Sequence, residues 1–291
     1  MGNTNNKRNN DNFIMLPTVD FCFKELMKNP KARKGFIAAV LGCDPEALLK
    51  TTLIPTELKR ESADDKLGIL DVLVELKDGT KLNMEMQVTY FEYWTNRVLY
   101  YMSKLYTGQI KKGEPYDTAK PCIHVSILDF IHFPQDSRCC RKIALCDIET
   151  GRQYTDQMEL YILELKKLPP EDQNEDGIIR WMRFLGGKNR EEFENMAKKD
   201  EYFGEAYDEL KRLSLDEQKR MEHELRQKAV RDYNSQIKSA EKRGMEHGIE
   251  RGRHDAMKQV VEYMLKDGKT ESEISALIGC DLDEVMKLAG K

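Results

Sequence analysis

The chain has 291 residues, of which 40% are hydrophobic and 34% charged, and its net charge is −4. This composition supports about two domains with real hydrophobic cores, which excludes a collagen-like or wholly disordered chain. The overall charge gives no support for nucleic-acid binding, so such binding would need a local basic patch or metal ions in an acidic site.

The N-terminal part of the chain predicts a disordered tail followed by helices. Residues 1–15 are polar and Asn-rich, which is unlike a secretory signal. Apolar residues at helical spacing predict helical structure over Thr18–Leu41. Asp44-Pro45 predicts the start of a further helix, because proline suits the first helical position.

The cysteines and the hydropathy predict the compartment. Seven cysteines without a CxxC pair favour free thiols in a reducing cytoplasm over a disulfide framework or a zinc site. No apolar run reaches the roughly 18 residues that a membrane span needs. The sequence therefore predicts a cytoplasmic protein without a membrane partner.

Two strands of alternating pattern are predicted between Lys66 and Thr89, joined by a turn at Lys77-Asp78-Gly79. A two-residue loop would mix polar and apolar residues on each face, whereas a three-residue loop with a left-handed Gly79 separates them. The second register gives three apolar pairs on one face, Leu70–Met86, Val72–Met84 and Val74–Leu82. It gives three pairs on the other face, Asp71–Glu85, Leu73–Asn83 and Glu75–Lys81.

This register makes Asp71 and Glu85 cross-strand neighbours, with Cβ atoms about 5 Å apart. Two facing carboxylates repel each other unless one is protonated or a cation bridges them. Mg²⁺ prefers hard oxygen ligands and typically takes one or two carboxylates together with waters and phosphate oxygens. The hairpin therefore predicts a divalent metal site, to which the backbone carbonyl of Met86 could contribute.

The remaining pattern is strands followed by helices. A helix is predicted over Glu92–Lys111, a buried strand over Cys122–Ile131, and two strands around Thr150-Gly151 that end near Leu165. Helices are predicted at 178–185, 190–212, 256–265, 271–278 and 282–288, with a long charged helix that starts at a capping box, Ser214–Glu217. His124 is predicted to be a satisfied core residue and His223 a solvated one.

The stretch from Ile69 to Tyr116 resembles the PD-(D/E)XK nuclease superfamily, and more closely the bacterial recombination-promoting nuclease and transposase family. The resemblance rests on ordered short motifs: Asp20–Lys24, Leu70-Asp71-Val72, Met84-Glu85-Met86-Gln87, Arg97 with Tyr101, Gly113–Tyr116 and Leu163–Leu165. It extends from about residue 18 to residue 288, and the order and spacing of the motifs make it fairly specific.

The resemblance implies an α/β fold with a mixed central sheet, an αβββαβ core and a helical C-terminal extension. It implies that Asp71 and Glu85 bind Mg²⁺, or Mn²⁺, and that Gln87 replaces the lysine that orients the attacking water. Lys66 or Lys59 would then supply the missing positive charge. Arg97 and Tyr101 would bind or orient the DNA.

The expected organisation is a tail at 1–15, a nuclease-like domain at 16–189, a charged helical region at 190–254 and a small cap at 255–291. The cap could also be a helix-turn-helix, although few basic residues lie on it. The expected function is Mg²⁺-dependent DNA cleavage that promotes recombination, by a homo-oligomer formed through the C-terminal helices. Two alternatives remain: a DNA-binding or regulatory member with weak catalysis, and an interaction protein built around the charged helix.

Overall fold

The computed structural model describes residues 13–57, 70–172 and 174–290. The chain divides into two compact units, Met1–Val230 and Arg231–Lys291. The predicted tail lies outside the described residues up to residue 12, whereas Ile14 and Met15 are buried in the core of the first unit.

A mixed six-stranded sheet forms the centre of the first unit. Its strands are β1 (Thr51–Leu53), β2 (Val72–Leu76), β3 (Lys81–Gln87), β4 (Cys122–Leu128), β5 (Cys140–Ala144) and β6 (Met158–Glu164). They are arranged in the order β1-β2-β3-β4-β6-β5. β3, β4 and β6 run parallel, and the other neighbours pair antiparallel. The predicted α/β class with a mixed sheet is confirmed, although the short edge strand β1 was not predicted.

The hairpin of β2 and β3 has the predicted register over the length of its ladder. Val72 pairs with Met84, and Glu75 pairs with Lys81. The Leu76 N–H donates to the Thr80 carbonyl at 2.9 Å across the three-residue loop, in which Gly79 has a φ of 88°. This positive φ is the conformation that the loop requires of its glycine.

The predicted pair Leu70–Met86 is wrong, because the ladder of β2 begins only at Val72. The Leu70 N–H instead donates to the Thr56 carbonyl at 3.0 Å. Leu70 therefore packs with Leu73 on the opposite face of the sheet.

Nine α-helices lie in the described parts of the chain. They are α1 (Asp20–Leu26), α2 (Pro30–Leu41), α3 (Trp94–Thr107), α4 (Gly177–Leu185), α5 (Arg190–Ala197), α6 (Glu201–Leu215), α7 (Glu217–Lys266), α8 (Glu271–Ile278) and α9 (Leu282–Leu288). Thr18–Leu41 contains two of them, because the Asn29 side chain caps a new helix that starts at Pro30. The region 190–212 is likewise split by Asp200, which caps α6.

Three further predictions about helices are corrected. Asp44-Pro45 starts only one turn of 3₁₀-helix, Pro45–Ala47. The long helix is capped by Asp216, which accepts from the Lys219 N–H at 3.1 Å, while the Ser214 hydroxyl donates to the Leu210 carbonyl inside the preceding helix. The helix predicted at 256–265 is the last part of α7.

The sheet carries apolar side chains on both faces. One face packs against α1, α2, α4, α5 and α6 through a large core that includes Phe36, Trp181, Phe184, Phe193 and Phe203. The other face is covered by α3 in two smaller clusters, one around Tyr101 and Leu105, the other around Trp94 and Val98. Polar side chains are buried beneath this helix as well, and they form the candidate site.

His223, predicted to be solvated, is buried in the first unit. Its exposure is 1%, and its Nε2 accepts a hydrogen bond from the Leu16 N–H at 3.2 Å. Phe13 and Phe21 pack edge-on against the imidazole ring. The charged helical sequence around His223 does not indicate this burial, because the residues that contact the ring belong to the N-terminal segment.

The second unit contains the end of α7 together with α8 and α9. These helices share a small core of Val261, Ile274, Val285 and Leu288. The predicted capping box is confirmed, since Thr270 and Glu273 bond to each other's backbone N–H at the start of α8. Among the described helices of either unit, none has the length and apolarity needed to cross a membrane.

Candidate active site

The β2–β3 hairpin brings Asp71 and Glu85 to the same edge of the sheet. The ladder ends at Val72–Met84, and Asp71 and Glu85 each lie one residue beyond that pair. The charge of Asp71 contributes to the raised pKa of Glu85, which indicates that the two carboxyl groups lie close enough to interact. The sequence predicted this arrangement from the turn and the alternation alone.

Glu85 is held by two donors that the sequence analysis selected. Arg97 of α3 forms an ion pair with Glu85 Oε1. Gln87 Nε2 donates to the same oxygen at 3.0 Å. Glu85 itself is only 2% exposed, whereas the Arg97 side chain is 34% exposed. One end of the pair is therefore inside the protein, and the other reaches the surface.

Burial raises the pKa of Glu85 to about 7, against an ordinary value of 4.5. The Arg97 charge opposes this shift, and the Asp71 charge adds to it. The ionised carboxylate is therefore short of positive charge despite its ion pair. Such a group favours the approach of another cation.

Asp71 has its own cation, which the sequence analysis did not select as a site residue. Lys24 Nζ of α1 lies 3.0 Å from Asp71 Oδ1 and 3.4 Å from Asp20 Oδ2. Burial raises the pKa of Asp71, and Lys24 opposes that shift. Lys24 belongs to the Asp20–Lys24 motif, and this motif was the only feature of the sequence that pointed to Lys24. Its partner could be found only after folding had placed α1 beside β2.

Asn83, His124 and Ser126 form a buried set of hydrogen-bonded side chains next to Glu85. His124 Nδ1 lies 2.9 Å from Asn83 Nδ2, and His124 Nε2 lies 2.7 Å from Ser126 Oγ. Burial lowers the pKa of His124 to about 3, so the ring is neutral at physiological pH. The Asn83 amide donates to Nδ1, which leaves the ring proton on Nε2, 3.7 Å from Glu85 Oε2. The prediction of a satisfied core histidine is confirmed, and the ring also faces the site.

The predicted site residues have three different outcomes. The structure brings together Asp71, Glu85, Gln87 and Arg97. Tyr101 joins them indirectly, because the Arg97 guanidinium carbon lies 5.6 Å from the centre of its ring while the ring packs in an apolar cluster. Lys66 and Lys59 lie outside the described residues.

The family model of the PD-(D/E)XK nuclease family transposases matches residues 17–240. The chain belongs to this family. A search of curated proteins and a search of solved structures gave no significant match. Membership of this family supports a nuclease-like function and implies that the substrate is DNA, and nucleases of this kind generally use divalent metal ions.

Proposed function

We propose that this protein is a cytoplasmic, Mg²⁺-dependent DNA endonuclease that hydrolyses phosphodiester bonds and promotes DNA recombination. The observation that carries the proposal is the convergence of Arg97 and Gln87 on one oxygen of Glu85, with Asp71 alongside. Four residues chosen from the sequence for one reaction thus share one site.

The donor set fits a small divalent cation. Asp71 and Glu85 offer hard carboxylate oxygens, which suit Mg²⁺ or Mn²⁺ and would leave room for waters and a phosphate oxygen. Burial raises the pKa of both carboxyl groups although Lys24 and Arg97 lie beside them, so a further cation would favour their ionised forms. When bound there, the ion supplies Lewis-acid polarisation of the phosphate and lowers the pKa of an attacking water.

The surrounding side chains would position the groups that react. Arg97 fixes the Glu85 carboxylate while its exposed end can meet a phosphate, because a guanidinium has five donors in a rigid fork. Gln87 holds Glu85 through its amide nitrogen, so its carbonyl oxygen can accept a hydrogen bond from a water. Lys24 supplies positive charge next to Asp71. Lys66 stays a predicted second source of that charge.

The experiment is nicking of supercoiled plasmid by the purified protein in Mg²⁺, Mn²⁺, Ca²⁺ or EDTA. We expect nicking in Mg²⁺ or Mn²⁺ that is lost in Asp71→Asn and in Glu85→Gln. The matched control is Glu75→Gln, a carboxylate of the same hairpin that pairs opposite Lys81. Nicking by both site variants at the wild-type rate would refute the assigned site.

A DNA-binding or regulatory protein with weak catalysis is the second candidate. One observation favours it: both carboxylates already have cationic partners, Lys24 and Arg97. Within the described ranges, no three His, Cys, Asp or Glu side chains are grouped to hold a metal ion. A pure binder would shift DNA in EDTA and would not nick it in any metal.

We also propose that the nuclease-like domain at 16–189 is followed by a helical region at 190–254 and a cap at 255–291. The long helix α7 supports a homo-oligomer formed through the C-terminal helices, because it is solvent-exposed over most of its length. Light scattering of the intact protein tests this, and a monomeric mass at all concentrations would contradict it.

A further inference from the structure

We infer that the surface next to the carboxylates binds an unpaired DNA strand by stacking its bases on exposed aromatic rings. The rings are those of Tyr90, Phe91 and Tyr93, which we call the aromatic shelf. The inference rests on the proposed function, because that function identifies the ligand as DNA, and it adds the class of DNA that the site takes.

The aromatic shelf lies at the same edge of the sheet as the site. It begins three residues after Gln87, where β3 ends, and Tyr93 immediately precedes α3. The Tyr90 ring contacts Phe130, which follows the end of β4, with 5.7 Å between ring centres. Since β3 and β4 are parallel, both of these chain ends leave the sheet at one edge. Asp71, which immediately precedes β2, lies at that edge as well.

About half of each ring residue of the shelf is exposed to solvent. Tyr90 is 55% exposed, Phe91 46% and Tyr93 60%. Phe91 and Tyr93 pack edge-to-face, with 5.9 Å between ring centres, so their contact leaves ring faces open. Exposed rings that support one another in this way offer ready-made stacking surfaces, and they lose little conformational freedom on binding.

One cation lies directly beside the shelf. Arg97 is in the first turn of α3, where its N–H donates to the Tyr93 carbonyl at 3.1 Å, and its side chain is 34% exposed. Its guanidinium pairs with Glu85, and its remaining donors can meet a phosphate of a strand whose bases stack on the shelf.

The exposed rings indicate a single strand rather than a duplex. Every base has a π-face, so aromatic side chains bind unpaired bases without sequence preference, and a neighbouring cation such as Arg97 can contact the phosphates. In a duplex the bases are stacked on each other and their faces are not available. The preferred substrate is therefore DNA with unpaired bases next to the cleaved bond, such as a single strand, a flap or a melted site.

Binding of the full chain in EDTA tests this without cleavage. The probes are a fluorescein-labelled oligodeoxynucleotide and the same strand annealed to its complement, followed by fluorescence anisotropy. The test variant is Tyr90→Ser/Phe91→Ser/Tyr93→Ser. The matched control is Tyr116→Ser/Tyr154→Ser, which removes two tyrosines that are also highly exposed, at 86% and 84%.

We expect the wild-type protein to bind the single strand more tightly than the duplex. The shelf variant should lose about tenfold or more of its single-strand affinity, because each stacked base contributes substantially. The control variant should bind as the wild type does. Equal affinities for strand and duplex, or equal losses in the two variants, would overturn the inference.

Photocrosslinking of the wild-type protein to a strand with 5-iododeoxyuridine gives a second readout that needs no variant. Crosslinks mapped to the shelf would support the inference, and crosslinks confined to other parts of the chain would overturn it. A shelf variant that changes the mass of the protein but not its DNA affinity would assign the surface to a second copy, which also overturns it. Plasmid nicking is scored separately, so strand binding through the shelf without nicking would refute the endonuclease and leave this inference standing.

Discussion

Replacing Glu85 with glutamine should stabilise the metal-free protein while it abolishes nicking. The pKa of Glu85 is about 7 in the folded protein and 4.5 in its ordinary state, so folding favours the protonated carboxyl. Its contribution to stability is therefore complete below pH 4.5 and is lost as the pH rises through 7. A difference of 2.5 pKa units corresponds to ~3 kcal/mol that the ionised group costs the fold at pH 8. Glutamine resembles the protonated form and does not have this cost.

The assay is urea unfolding in EDTA between pH 5 and pH 8, followed by tryptophan fluorescence. Trp94 and Trp181 are both buried, so unfolding changes their environment. The quantity of interest is the difference in free energy of unfolding between Glu85→Gln and the wild type. We expect this difference to increase by about 2 kcal/mol from pH 5 to pH 8 in favour of the variant. Comparing the two proteins at each pH cancels the titration of groups that do not interact with Glu85.

Glu164→Gln is the matched control, since Glu164 is also buried and lies in the same sheet, on β6, which β4 separates from β3. Glu164 accepts from the backbone N–H groups of His132 and Phe133, and Lys167 Nζ lies 2.8 Å away. This carboxylate is well satisfied, so its replacement should destabilise the protein by about 1–3 kcal/mol. A Glu85→Gln difference that is independent of pH, or that favours the wild type at pH 8, would refute the reasoning about Glu85.

Two further predictions concern Lys24, which the sequence did not identify as a site residue, and His223, which it predicted to be solvated. Lys24→Met should slow nicking by roughly tenfold or more, because it removes charge beside Asp71, and should tighten Mn²⁺ binding measured by electron paramagnetic resonance. Lys28→Met, which removes a lysine paired with another carboxylate, is the control, and equal rates in the two variants would contradict a role for Lys24. Burial lowers the pKa of His223 from 6.5 to about 4, so its contribution to stability is present above pH 6.5 and is lost as the pH falls through 4. In His223→Gln, the new side chain can still accept a hydrogen bond from the Leu16 N–H. The free energy of unfolding of this variant should therefore fall by about 3 kcal/mol less than that of the wild type between pH 7 and pH 4. If urea titrations show the same fall in both proteins, His223 is not a buried neutral ring.

The hairpin shows how much of the site was predictable from the sequence. Alternation has a period of two, and one left-handed glycine selects the loop, so the register from Val72–Met84 to Glu75–Lys81 follows from a short stretch of chain. The extension of that register to Leu70 failed. The backbone there bonds to Thr56, a partner that the local pattern does not contain.

Helix boundaries were predictable only where a cap was recognised. Thr270 and Glu273 form a reciprocal pair within four residues, and that prediction is confirmed. Ser214 was taken as a cap by the same rule. It instead accepts from the distant Met15 N–H at 2.9 Å, and Asp216 caps the long helix. A capping motif is a local signal, and a tertiary partner can override it.

By itself, the sequence determined the α/β class, the hairpin register, the family motifs and the acidic residues of the candidate site. These rest on periodicity, turn chemistry and spacing, which act between near neighbours in the chain. Only the tertiary structure decided that Lys24 meets Asp71, that His124 faces Glu85 and that His223 is buried. These contacts join segments far apart in the chain, and they form because the two faces of the sheet must be covered by helices that bury their apolar sides.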